Sequence, residues 1–134
     1  MILIDYSQKA LSNLIVQKLN DESMIRHMIL NSIRMYNKRY REEYGQMVIC
    51  ADGMKNWRRE VFPQYKHSRR KGRKESKLDW NNIFDTLHMI KDEFTEFFPY
   101  KVLEVDNAEA DDIIASVVFH IAKDPKNYEK VLIL

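Results

Sequence analysis

Three short apolar runs, each closed by an aspartate and set far apart along the chain, constrain this sequence more than anything else in it. They are Ile2-Leu3-Ile4 before Asp5, Met47-Val48-Ile49-Cys50-Ala51 before Asp52, and residues 101–105 before Asp106. Runs of this length, β-prone and without polar alternation, suit strands buried on both faces. Val131-Leu132-Ile133-Leu134 has the same character and predicts a fourth strand. Between these runs lie segments whose apolar residues recur at spacings of three and four, the signature of helices. Residues 7–18 place Leu11, Leu14, Ile15 and Lys18 on one face, and 23–44 carry Ile25, Met28, Ile29, Ile33 and three tyrosines in register. Residues 78–98 show Ile83, Phe84, Leu87, Ile90, Phe94 and Phe97. Residues 111–123 continue the stripe begun at Ala110 through Ile113, Ile114, Val117, Val118 and Ile121. Crossovers this long exclude hairpins. The expected fold is therefore a single α/β domain of 134 residues, a mostly parallel sheet with helices on both faces.

In open parallel sheets, ligands gather beyond the carboxyl ends of the strands. Asp5, Asp52 and Asp106 all fall there, and Glu109-Ala110-Asp111-Asp112 opens the following helix. Glu109 and Asp112, three apart, share a helix face, while Asp111 projects elsewhere. Taken singly, each acid is as well explained by capping, the helix dipole or a turn, and Asp106-x-x-Glu109 reads as a capping box. Taken together, carboxylates this close repel one another and call for a cation. Oxygen ligands suit Mg²⁺ or Mn²⁺, and the nearest chemistry is metal-assisted attack of water on a phosphodiester. On these residues alone the structural and the metal-site readings stand level.

Charge is distributed unevenly. The net charge is +2, yet residues 58–77 hold nine Lys/Arg against two Glu, so the remainder is acidic. In this stretch Trp57, Tyr65 and His67 are interleaved with Arg58, Arg59, Lys66, Arg69, Arg70, Lys71, Arg73 and Lys74. Cations neutralise phosphates and aromatic rings stack on bases. The stretch lacks apolar periodicity, and the expectation is an insertion over about residues 57–77 that stays disordered until nucleic acid binds. A solvated loop without a dedicated partner, or a localisation signal, remains the competing reading. His27 and His88 read as surface or rim residues of amphipathic helices. No GxxxxGK[ST], CxxC or GxSxG pattern is present, so nucleotide-triphosphate, zinc-finger and serine-hydrolase readings have no support. The single Cys50 cannot form an internal disulfide, and no apolar run reaches bilayer length. The expected setting is cytoplasmic, away from membranes; for a phage-encoded chain this means the infected host cell.

LIDYSQ, ICADG followed by WRREVFPQYKHSRR, and EVDNAEADDIIA resemble phage members of the flap endonuclease, or 5′ nuclease, family, in order and over essentially the whole chain. The resemblance implies a nuclease that uses two divalent ions to remove RNA primers and 5′ flaps in DNA replication. It implies metal-site roles for Asp5, Asp52, Glu109, Asp111 and the adjoining Asp112. It also implies that Arg58 and Lys66 steer the scissile phosphate, that Tyr65 lies beside the bound 5′ end, and that the rest of the basic stretch is an arch over the strand. The partner so implied is DNA or an RNA–DNA hybrid with a 5′ end or flap. The family carries further aspartates beyond its fourth strand and then a helix–three-turn–helix, where this sequence reaches Leu134. The expectation is therefore an N-terminal half that needs a C-terminal segment or partner chain for full activity. The alternative is a catalytically inactive nucleic-acid-binding module on the same fold. A compact PIN-type ribonuclease is the third reading, and it too would need a late acid.

Overall fold

A computed structural model describes residues 1–17, 21–123 and 129–134. The elements run β1 (Ile2–Asp5), α1 (Tyr6–Gln17), α2 (Glu22–Tyr44), β2 (Met47–Ala51), α3 (Trp57–Val61), α4 (His67–Glu75), α5 (Trp80–Phe97), β3 (Lys101–Glu104), α6 (Ala110–Ala122) and β4 (Leu132–Ile133). The four strands form one sheet in the order β3-β2-β1-β4, and every pairing is parallel. Asp5 stands opposite Cys50, and Glu104 opposite Ala51, so the carboxyl ends of the central strands finish side by side.

Alternation along the strands divides the interior into two cores. Ile2, Ile4, Met47, Ile49 and Ala51 face α1, α2 and α5, meeting Leu14, Ile25, Ile29, Ile33, Ile83, Ile90 and Phe94. Leu3, Val48 and Cys50 face the other way, onto Ala110, Ile113 and Ile114 of α6. Helices thus cover both faces, as the strand spacing predicts. Cys50 is fully buried, and burial, helped by the charge of Asp5, pushes its thiol up to about 11. It is packing, not chemistry.

Local signals set the helix ends. Asp21 caps α2 by accepting from the Met24 N–H, Gly45 closes it with φ 77°, and Asp79 caps α5 through the Asn82 N–H. Two expectations about helix faces need correction. Ile15 is 47% exposed, and Phe97, at the last turn of α5, is 71% exposed. Lys18 lies outside the described residues. Among the described residues no helix is long and apolar enough to cross a membrane.

The basic stretch differs from expectation. It folds into α3 and α4 rather than a structureless loop. Asn56 caps α3 through the Arg58 N–H, and Lys66 turns the chain with φ 55° before α4 starts. Neither helix buries a residue, which is why no apolar period betrays them.

Candidate active site

Each acid of the site is placed by a strand end or a helix start. Asp5 ends β1, and its Oδ1 accepts the Gln8 N–H of the first turn of α1 at 2.9 Å. Asp52 follows β2, and its Oδ1 accepts the Ala110 N–H at the start of α6, also at 2.9 Å. This bond reaches from one strand end to a helix 58 residues away, and it requires the backbones to lie close together. Gly53 makes that possible. Its N–H donates to the Ala108 carbonyl at 2.9 Å, and a Cβ there would fall 2.3 Å from the Val105 carbonyl oxygen. The glycine after the acid was the available signal in the sequence, and sequence reasoning passed over it.

Asp5, Asp52, Glu109 and Asp111 line one cavity of about 710 Å³. Lys66, Arg59, Arg69 and Arg73 line it too, so acids and cations share its walls. Burial raises the Asp5 pKa above the ordinary carboxylate value; the Gln8 N–H opposes this, while the charges of Asp52 and Asp111 add to the rise. Asp5 therefore feels the charges of both other aspartates. Asp106 does not join them. It is exposed, in the turn after β3, and the acids that reach the edge on that side come from α6.

Glu109 and Asp112 behave differently. Glu109, 7% exposed, accepts from the Tyr65 hydroxyl at 2.9 Å, from Lys66 Nζ at 2.5 Å and from Arg58 Nη1 at 3.1 Å. Burial pushes its pKa up, but the bonds from Lys66 and Tyr65 and the charges of Lys66 and Arg58 outweigh this and hold it below the usual range. Asp112 takes both Arg58 guanidinium nitrogens, each at 2.7 Å, plus Trp57 Nε1 at 3.2 Å and the Glu109 N–H at 3.0 Å. The Arg58 pair above all draws its carboxyl down to about 2. Expected among the metal-site acids, Asp112 is not among the cavity walls and instead fastens α3 to the start of α6. The reason is its partner: Arg58 lies 54 residues away in sequence, and spacing within the motif gives no hint of it.

The basic residues also divide. Arg59, Lys66, Arg69 and Arg73 reach the cavity; Arg58 and Tyr65 sit behind it against Glu109. His67, Arg70, Lys71 and Lys74 are exposed and lie outside the cavity walls. His27 bonds to Asn31 on the surface of α2, as a rim residue should.

The donor set around Asp5, Asp52 and Asp111 is all oxygen, which fits a hard divalent ion. Among the described residues no three His, Cys, Asp or Glu converge closely enough to hold an ion directly. Mg²⁺ does not demand that, since it commonly keeps several waters and takes only one or two carboxylates from the protein.

Comparison with known proteins agrees with this architecture. Residues 5–134 match the 5′–3′ exonuclease N-terminal, resolvase-like domain. Ribonuclease H of Enterobacteria phage T4 is 42% identical over 123 residues, covering 87% of this chain and 40% of that protein. The 5′-exonuclease of phage T5, solved with divalent zinc ions bound, matches with a TM-score of 0.71 at 18% identity, over 99% of this chain and 47% of that one. The T5 flap endonuclease, solved as a pseudo-enzyme–product complex with DNA and metal ions, matches at 0.72 and 20% identity, over 98% and 47%. The chain spans less than half the length of these relatives.

Proposed function

The chain belongs to the family of 5′–3′ exonuclease N-terminal, resolvase-like domains, and from that premise we propose that it supplies the first half of a metal-dependent 5′ nuclease centre. The observation that carries this reading is the shared cavity, in which aspartates from β1, β2 and α6 face a wall of arginines and Lys66. The substrate is DNA or an RNA–DNA hybrid with a 5′ end or flap. Asp5, Asp52 and Asp111 hold Mg²⁺ or Mn²⁺, in part through water, with Glu109 beside them. The bound ion supplies Lewis acidity and an activated water. A complete enzyme would hold two such ions, with a C-terminal segment, carried by the longer relatives, supplying the remaining acids.

The other residues manage charge. Lys66 reaches the cavity while bonded to Glu109 and lying over the Tyr65 ring, so its ammonium is aimed at the place where a phosphate would meet the acids. Tyr65 keeps its ring against the Lys66 and Arg58 cations, at 5.1 and 5.8 Å, which suits an aromatic beside a bound 5′ end. Arg58 is turned onto Asp112 and Glu109. It holds α3 in place and can turn to a phosphate only by giving up part of that network. Helices α3 and α4 form the base of the arch.

The test joins binding to cleavage. The protein carrying these residues with their C-terminal segment is given a labelled 5′-flap substrate, first with Ca²⁺ for binding and then with Mg²⁺. Binding in both, and cleavage lost in Asp111→Asn with binding retained, is the expected result. Binding without any cleavage by the parent protein would establish the inactive module instead.

A further inference from the structure

Among the described residues, Glu109 is the one acid on the cavity walls that is already paired with cations. Lys66 Nζ donates to its Oε1 at 2.5 Å, while Arg58 Nη1 and the Tyr65 hydroxyl share its Oε2, at 3.1 and 2.9 Å. Both oxygens are taken, so an ion entering among the aspartates finds Glu109 engaged. The two cations differ in how firmly they are placed. Arg58 is also fixed on Asp112 by two bonds of 2.7 Å. Lys66 sits at the joint between α3 and α4 with φ 55°, the left-handed region, and its side chain makes no capping bond to α4. A side-chain-bearing residue persists in that conformation only where neighbouring contacts hold it, and the ion pair with Glu109 is such a contact. The ammonium also reaches further: burial raises the Asp5 pKa, and the Lys66 charge opposes that rise.

We propose that Lys66 is a built-in counter-ion for Glu109, released when a phosphate of the nucleic acid draws its ammonium away, so that divalent ion and substrate load together. This rests on the nuclease reading and adds a coupling to it. The exchange balances charge. Lys66 passes from carboxylate to phosphate, and the Glu109 oxygen it leaves, Oε1, becomes available to the ion. Arg58 stays behind on Asp112 and on Oε2, so α3 keeps its anchor. Without phosphate, an ion at Glu109 would stand beside the Lys66 ammonium, two positive groups at one carboxylate, and their repulsion disfavours it. With phosphate present, the ammonium has an anion of its own and a charge-assisted bond to replace the one it lost. Coupling of this kind is reciprocal: the factor by which phosphate raises ion affinity is the factor by which the ion raises phosphate affinity. A nuclease so built stays largely unloaded until its substrate is in place.

The experiment is Mn²⁺ titration of the chain, read by electron paramagnetic resonance, with and without a short 5′-phosphorylated single strand. A blank of Mn²⁺ with the strand alone is subtracted. The strand should tighten Mn²⁺ binding about tenfold, a usual scale for coupling between sites, and Mn²⁺ should tighten binding of the strand by the same factor. Lys66→Met should raise Mn²⁺ affinity in the absence of nucleic acid and reduce the coupling to within about twofold. Glu109→Gln should remove the coupling as well. In the double variant, the rise seen with Lys66→Met should vanish, because it acts through Glu109; a rise that persisted would come from the lost charge alone and would overturn the exchange. If circular dichroism shows Lys66→Met misfolded, Glu109→Gln, which keeps the side chain's shape, carries the same test. Absence of coupling in the parent, or full coupling in either variant, would overturn the exchange while leaving the nuclease reading intact. A parent chain that binds neither the ion nor the strand would overturn both.

Discussion

Asp111 and Asp112 are neighbours in sequence and live in different electrostatic worlds. Asp112 sits in a closed network with Arg58, Trp57 and Glu109, and its carboxyl is drawn down to about 2. Asp111 faces the cavity with Asp52 and Asp5, and burial together with their charges raises the Asp5 pKa. A helix turns about 100° per residue, so one step around α6 separates an acid paired with Arg58 from one that lines the open cavity. The acidic start of α6 is thus two devices: Glu109 and Asp112, three apart, anchor the basic helices, and Asp111 completes the open group.

The largest effect belongs to the open group. Asp111→Asn in the complete nuclease should lower Mg²⁺-dependent flap cleavage at least about 100-fold, the scale of losing one preorganised electrostatic element. Asp112→Asn should cost less in cleavage and more in stability, and the reverse ranking in a single assay would dissolve the distinction. Gly53→Ala strikes the joint between both groups. Its Cβ would press on the Val105 carbonyl, and overpacking of this kind costs about 2 kcal/mol, readable as a lower urea midpoint. An unchanged midpoint would mean that the two loops are not held together there.

The closed group is sharpened by a double-mutant cycle on Arg58→Gln and Asp112→Asn. The pair is bidentate but about a quarter exposed, so after allowing for solvent screening the coupling should be about 1–2 kcal/mol. Its pH dependence follows from the lowered carboxyl. The contribution is complete above the ordinary aspartate value of 3.8 and is lost as pH falls through about 2. A coupling that vanished already near pH 5 would contradict the assignment. The smallest effect is Asp5→Asn. Because the folded environment raises this pKa, the ionised group opposes folding at neutral pH, and neutralising it should add about 1 kcal/mol, seen as a slightly higher Tm without divalent ions. A lower Tm would show that Asp5 is held for stability instead.

Much of this was legible in the sequence. The strands announced themselves because a run such as Met47–Ala51 is buried on both faces and needs no polar alternation; its bounds in the structure are those of the sequence reading. Helix α6 could be placed to within a residue because its apolar stripe is unbroken. Helices α3 and α4 were not legible, since hydrophobic period is the signal of a buried face and they bury none. What holds α4 is a guanidinium on two rings of α5, a tertiary contact with no local pattern. The placing of Asp5 and Asp52 on one cavity could be anticipated from strand ends and that of Asp111 from the acidic start of the helix, whereas Asp106, expected there as the third strand-end acid, stands outside it. The diversion of Asp112 could not, because its partner comes from a segment that sequence alone leaves unplaced.

The most direct measurement is Mn²⁺ binding to the purified chain, followed by electron paramagnetic resonance as the free-ion signal disappears. Asp5→Asn and Asp111→Asn should each weaken binding at least about tenfold, the scale of losing a ligand or its immediate support, while Asp112→Asn should leave it nearly unchanged. Loss of the ion in Asp112→Asn, with Asp111→Asn binding as the parent does, would contradict the account.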